Sequence, residues 1–296
     1  MSDGVEFDSL EEVVDAAERR LAGAGTVPLL VWPGEDDLVV FAHATGFHKE
    51  LWAPVVRSLR VGGVAATLAA LDLAGHGDAP EPDHAPTIWG FGGNVVTAID
   101  ELRPRGRVVG VGHSLGGAAV LAAELAAGVL DGAVVLDPAV VAPELMAAFL
   151  AAGGNPWAEG ARRRRPGFGS RDEAFAVFSS KRVFASWPTE VLRLYVDHGM
   201  AATDEGWSLK CRPAWEAATF SQPDLVEVWE RLPELDLPVV LVTGGSSDTH
   251  PEPYAEALAA RLGARHVRLA GVGHFIPMEV PDAVAAEVAR LLGTGR

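Results

Sequence analysis

Apolar residues along this chain fall into short unbroken runs, and between the runs they recur at helical spacing. The opening reads as a helix. Ser9-Leu10-Glu11-Glu12 has capping-box spacing, and Val13, Val14, Ala17 and Leu21 share one face. Two strand-like runs follow at 27–32 and 38–42, separated by the turn-rich Pro33-Gly34-Glu35-Asp36-Asp37. The spacing then predicts a helix over 49–60, a buried strand over 64–71, a Gly/Asp/Pro-rich loop over 72–86 and a helix over 88–102. A strand at 107–111, an Ala/Leu-rich helix at 116–128 and a strand at 132–136 come next. From 143 to 223 the strand signal fades. Alternation returns with helix 224–231, strand 238–243, helix 253–262, strand 266–269 and helix 282–292. Strands alternating with helices imply a mostly parallel sheet flanked by helices, because the crossovers cover both faces.

The middle stretch differs in composition as well as in pattern. Residues 143–223 hold 11 of the 21 aromatics, and with ten basic and nine acidic residues they are nearly neutral in a chain of net charge −16. The expected organisation is a core of residues 1–142 and 224–296 with a helical cap inserted at 143–223. At 296 residues, 49% apolar and 22% charged, the chain suits one α/β domain carrying an insertion. A single cysteine, Cys211, excludes an internal disulfide and a Cys-only zinc or iron–sulfur site. The acidic excess repels phosphate backbones and anionic lipid, so nucleic-acid and membrane partners are not expected. The acidic N-terminus is the reverse of a secretory signal, and no apolar stretch approaches the roughly 18–20 residues of a bilayer span. The expected location is the cytoplasm. Oligomeric state is not legible.

The most informative five residues are Gly112-His113-Ser114-Leu115-Gly116, placed between a strand and an Ala/Leu-rich helix. In this composition Gly-x-Ser-x-Gly arises by chance roughly 0.15 times per chain, so the context carries the reading. That context is the one a nucleophile elbow requires. The turn is so tight that side chains at the two glycines would collide, and it exposes the serine Oγ beside a helix N-terminus.

Three further segments agree in order and placement, and with them the chain resembles the α/β-hydrolase family, in the subgroup whose helical cap follows the sixth strand. They are His43-Ala44-Thr45-Gly46-Phe47 with Trp52 nine residues after His43, Asp72-Leu73-Ala74-Gly75-His76-Gly77, and the pair of Asp248 beyond strand 238–243 and His274 in Gly271-Val272-Gly273-His274-Phe275. The resemblance implies an α/β-hydrolase fold with a Ser114, Asp248, His274 triad. Ser114 would be the nucleophile, His274 the base and later the acid, and Asp248 the group that holds the imidazole's tautomer. Asp137 stands as the alternative acid, since it also follows a strand. The resemblance further implies an oxyanion hole from the backbone N–H groups of Thr45 and Leu115. His43 reads as a buried brace for its loop, and the Asp72 loop as a structural wall.

The remaining histidines form no metal-binding spacing, and neither a metal nor a cofactor is expected. Arg162-Arg163-Arg164-Arg165 could steer an anion, dock the cap on the acidic core or lie in solvent, and Cys211 is expected to pack in the cap. The cap aromatics suit a substrate with an apolar or aromatic group, although a small subdomain also needs a core of its own. Related epoxide hydrolases and haloalkane dehalogenases use aspartate where this chain has Ser114, and serine suits attack at a carbonyl carbon. The expected activity is hydrolysis of a small carboxylic ester, lactone or thioester through an acyl-enzyme. A carbon–carbon bond hydrolase of the diketone type and a non-turnover small-molecule receptor are the alternatives.

Overall fold

The computed structural model describes residues 7–294, so residues 1–6 and 295–296 of the expected core lie outside the described residues. The central sheet has eight strands: β1 Glu18–Ala22, β2 Val27–Trp32, β3 Glu35–Ala42, β4 Ala66–Leu71, β5 Val108–His113, β6 Gly132–Leu136, and two later ones, Val239–Gly244 and Arg265–Leu269. The helices on this core are α1 Leu10–Asp15, α2 Ala53–Val61, α3 Ile88–Leu102 and α4 Leu115–Ala127 before the insertion. The insertion contributes α5 Pro143–Ala151, α6 Pro156–Arg162, α7 Arg171–Ser179, α8 Thr189–Gly199 and α9 Pro213–Phe220, with strands β7 Gly167–Phe168, β8 Met200–Thr203 and β9 Gly206–Leu209. The chain then returns through α10 Leu225–Arg231, β10 Val239–Gly244, α11 Glu252–Leu262, β11 Arg265–Leu269, α12 Ile276–Glu279 and α13 Pro281–Leu292.

The sheet order is β1-β2-β4-β3-β5-β6-β10-β11. The β1/β2 and β2/β4 pairs are antiparallel, and every later pair is parallel. The inner strands are unbroken apolar runs because both faces are covered. Their residues still alternate. Val39 and Phe41, Val109 and Val111, Val134 and Leu136, and Val240 and Val242 enter one core with α2 and α13. Leu38, Val40 and Ala42, Ala133 and Val135, and Val239 and Leu241 enter the other, with α3 and α4. Each fully buried Leu, Val or Phe contributes roughly 1.5–3 kcal/mol, so these two layers dominate the stability.

Two expectations are corrected here. The opening helix ends at Asp15, and residues 18–22 instead form the antiparallel edge strand β1, with Leu21 62% exposed. Strand pairing with β2 satisfies that backbone, and it overrides the helical spacing of one exposed leucine. The insertion is also not purely helical. Its β7, β9 and β8 form a three-stranded antiparallel sheet, whose strands of two to four residues are too short to leave a period in the sequence.

The insertion docks through specific contacts. The Trp215 indole Nε1 donates to the Ala74 carbonyl at 3.0 Å. Gly75 makes that approach possible, since a Cβ there would stand 2.2 Å from the indole. Lys210 pairs with Asp78, Arg212 with Glu81, and Ser186 with Glu279. Among the described residues the arginine run makes no ion pair with the core. Arg162 and Arg163 pair with Glu159, Arg165 pairs with Glu173, and the half-buried Arg164 is held by Glu216 and Tyr195, all within the insertion.

Candidate active site

Ser114 sits at the junction of β5 and α4 with φ 53° and ψ −114°, outside the comfortable region for a residue with a Cβ. The flanking glycines explain how such a turn closes. A Cβ on Gly112 would lie 2.2 Å from the Gly116 carbonyl oxygen, and one on Gly116 would lie 2.0 Å from the Ala42 carbonyl oxygen. The elbow is therefore wedged against the end of β3. The Ser114 N–H donates to the Leu136 carbonyl at 2.9 Å, and its own carbonyl accepts from Ala118 and Ala139. The serine backbone is thus fixed to the ends of β5 and β6 together.

His274 follows β11, with its loop anchored by a neighbour of the serine. His113 Nε2 donates to the His274 carbonyl at 2.9 Å, and the two rings stand 4.9 Å apart. His113 is fully buried, and burial with the neighbouring His274 lowers its pKa to about 3, so it stays neutral. The same holds for the bracing pair His43 and His76, each lowered to about 3 chiefly by burial. His43 Nδ1 donates to the Ala44 carbonyl at 2.8 Å, and its Nε2 accepts from the Leu73 N–H at 3.1 Å, which ties the post-β3 loop to the Asp72 loop.

These three histidines predict a pH dependence. Unfolded, each binds a proton below about pH 6.5, whereas folded each does so only near pH 3. The unfolded state carries more protons in that window, so stability falls as pH drops through it, by about 1.4 kcal/mol per histidine per pH unit. Urea midpoints recorded from pH 7.5 down to pH 5.5 should stay level and then fall, and a midpoint that rises on acidification contradicts the burial argument.

The carboxylate that meets His274 is Asp137, not Asp248. His274 Nδ1 donates to Asp137 Oδ2 at 3.0 Å, and the Gly244 N–H donates to Asp137 Oδ1 at 3.2 Å. Asp137 is fully buried directly after β6 with φ 40°. Burial alone would raise its pKa, but the His274 hydrogen bond, the rings of His250 and His274 and the Ser247 hydroxyl hold it below the usual carboxylate value. Asp248 lines the same cavity with an exposed side chain, and among the described residues no hydrogen bond joins it to His274. The reason for the correction is register. Leu136 and Val242 are paired across the parallel ladder, so Asp137 leaves β6 alongside the last residues of β10. The acid at the end of β6 points at the imidazole from the first residue past the strand, while Asp248 stands four residues beyond Gly244.

Two neighbours carried no signal in the sequence. Thr249 Oγ1 lies 3.0 Å from His274 Nδ1, 3.0 Å from His250 Nδ1 and 3.0 Å from Ser247 Oγ, and so ties the imidazole to the loop that follows β10. His250 is buried beside Asp137 with its pKa lowered to about 4 by burial. Asp137, His250 and His274 bring one possible ligand atom each within 4.8 Å, a grouping that no spacing along the chain announces.

The N–H groups of Thr45 and Leu115 have no hydrogen-bond partner among the described residues, and both residues line the cavity with Ser114 and His274. The cavity is about 500 Å³, within the range of small-molecule sites, and most of its lining is apolar. Its far wall comes from the insertion. Phe178, Phe184 and Tyr195 pack against one another and against Phe47 and Phe275 of the core. The aromatics of the insertion therefore serve its own packing and line the site at once. Cys211 is buried among apolar neighbours, and burial raises its thiol pKa above the ordinary value.

A family model described as alpha/beta hydrolase family matches residues 39–287. Esterase YbfF of Escherichia coli (strain K12) is 27% identical over 230 residues, covering 75% of this chain and 81% of that protein. Esterase Rv0045c of Mycobacterium tuberculosis is 27% identical over 282 residues, covering 92% and 88%. Its crystal structure superposes with a TM-score of 0.76 at 23% identity, over 99% of this chain and all of that one. The crystal structure of E-2-(acetamidomethylene)succinate hydrolase superposes equally well, with a TM-score of 0.76 at 19% identity, over 94% and 99%. With the family model spanning the elbow, the Asp137 turn and His274, the chain belongs to the alpha/beta hydrolase family.

Proposed function

We propose that this protein is a serine hydrolase that cleaves small carboxylic esters through an acyl-enzyme. The observation that carries the reading is the pairing of His274 Nδ1 with a buried, ionised Asp137 at the wall of an apolar cavity that also holds the strained Ser114. Named esterases among the relatives support the same reaction class. With Nδ1 donating to Asp137, His274 presents Nε2 as the free lone pair, the tautomer that a general base needs. Ser114 Oγ attacks the ester carbonyl as Nε2 takes its proton. The negative charge on the former carbonyl oxygen meets the N–H groups of Thr45 and Leu115, the latter at the first turn of α4 where the helix dipole adds to it. His274 then protonates the leaving alcohol. Water, deprotonated by the same Nε2, releases the acid from Ser114. Asp137 stabilises the imidazolium in both halves, and the inserted residues 143–223 act as a cap over the acyl and alcohol groups.

The test is covalent labelling with a fluorophosphonate. Wild-type protein should label at Ser114, and both Ser114→Ala and His274→Ala should fail to label while retaining the wild-type circular dichroism spectrum. Persistent labelling in Ser114→Ala, or none in folded wild type, sinks the reading.

A further inference from the structure

One residue of the cavity wall is unlike its neighbours. Gln222 lies in the turn between α9 and α10, is 3% exposed, and lines the cavity. Neither its Nε2 nor its Oε1 has a hydrogen-bond partner among the described residues. The other buried or half-buried polar side chains on the insertion's side of the cavity are committed within the protein. Arg164 is held by Glu216 and Tyr195, and the Thr219 hydroxyl donates to the Trp215 carbonyl. Burying an unmatched polar group is unfavourable, and Gln222 buries two in a mostly apolar wall where a methionine would fit without that cost. An amide kept there has a use when something in the cavity meets it.

The chemistry of the partner follows from the amide. Gln222 offers two N–H donors and one carbonyl acceptor, so its complement is a neutral group that both accepts and donates. A carboxamide does so face to face with two parallel hydrogen bonds. A carboxylate would be met elsewhere, by the exposed Lys181 that stacks over Phe178 at the cavity, since Arg164 is already neutralised by Glu216; against the buried neutral amide of Gln222 a charge would go uncompensated. We propose that Gln222 is a specificity-determining residue that recognises an uncharged amide-type group carried on the apolar portion of the substrate. The substrate class is then an ester with an apolar spacer ending in a carboxamide rather than a plain alkyl ester. For turnover this rests on the ester-hydrolase reading; for binding it does not.

Two arms separate the proposals. In the first, ligand-observed NMR measures binding of hexanamide and of toluene to Ser114→Ala and to Ser114→Ala with Gln222→Met. Hexanamide should lose about tenfold or more in affinity in the double variant while toluene does not, since an apolar wall no longer satisfies the amide. In the second, kcat/KM is measured for the p-nitrophenyl esters of adipic acid monoamide and of heptanoic acid. The ratio of amide to alkyl ester should fall by about 10–100-fold from wild type to Gln222→Met. Gln222→Met removes two unmatched polar atoms and should unfold at the same or higher urea concentration. Equal loss of both ligands in the first arm overturns the proposal, as does a ratio in the second that moves less than about twofold. Selective hexanamide binding with no turnover of either ester overturns the hydrolase reading and leaves the Gln222 subsite standing.

Discussion

On the proposed mechanism, Asp137→Asn should lower kcat for ester hydrolysis by about 10⁴-fold, whereas Asp248→Asn should change it by no more than about twofold to threefold. The asymmetry follows from one hydrogen bond. In the wild type Asp137 Oδ2 can only accept from His274 Nδ1, which fixes the imidazole proton on Nδ1. Asparagine keeps the shape but turns an N–H group toward that nitrogen. Nδ1 then becomes the acceptor, the proton moves to Nε2, and the base has no lone pair for the serine. The carboxylate that stabilised the imidazolium is lost as well. Asp248 is exposed and lacks this contact, so its substitution changes little. Steady-state kinetics on both variants, with folding checked by circular dichroism, decides the matter. A large loss in Asp248→Asn and a small one in Asp137→Asn would return the acid to the later strand.

The second large effect concerns stability. Lys49→Met should cost about 3–5 kcal/mol, because it strips the cation from a buried acidic cluster. Lys49 Nζ lies 2.7 Å from Asp72 Oδ2, 2.7 Å from Asp78 Oδ2 and 3.0 Å from Glu50 Oε1. Lys49, Glu50 and Asp72 are each no more than 3% exposed. Burial alone would lower the lysine's pKa, but Asp72 and Glu50 outweigh it and raise it above the ordinary value, so the ammonium stays charged. Asp72 also accepts the backbone N–H groups of Lys49 and Asp78, and Gly77 leaves room for it, since a Cβ there would meet the carboxylate at 2.2 Å. Methionine fills the volume and leaves Asp72 without a cation in a low dielectric, whereas Glu50 keeps His48 and Asp78 keeps Lys210. Urea unfolding at pH 7.5 measures the loss, and the double variant with Asp72→Asn should recover part of it, as coupled sites do. A loss below about 1 kcal/mol would mean that solvent reaches the cluster.

Most of the sheet was legible because its inner strands are Val- and Leu-rich runs bounded by turn residues, and because the crossover helices repeat at 3.6-residue spacing. The elbow was legible for a different reason: close contacts at Gly112 and Gly116 demand glycine in fixed places. His274 was found from the glycines around it. The acid reads as Asp248 in the sequence and is Asp137 by contact, since both follow strands, and only the lateral pairing of Leu136 with Val242 tells which carboxylate reaches the ring. Thr249, His250 and Gln222 left no trace, because their significance lies in partners more than 20 residues away or in the lack of any. The short strands of the insertion were invisible for want of length, and β1 was misread because an edge strand half in solvent can mimic one face of a helix.

The position of Asp137 has an evolutionary consequence. Adjacent parallel strands end roughly 5 Å apart, so the imidazole senses a place in space and not a place in the gene. A lineage can therefore transfer this duty between neighbouring strand ends by passing through an ancestor that carries both carboxylates, with the imidazole attended at every step. Fixed geometry and free ancestry are compatible in such a sheet, and the order of catalytic residues along a chain is a poor clock for when each was recruited.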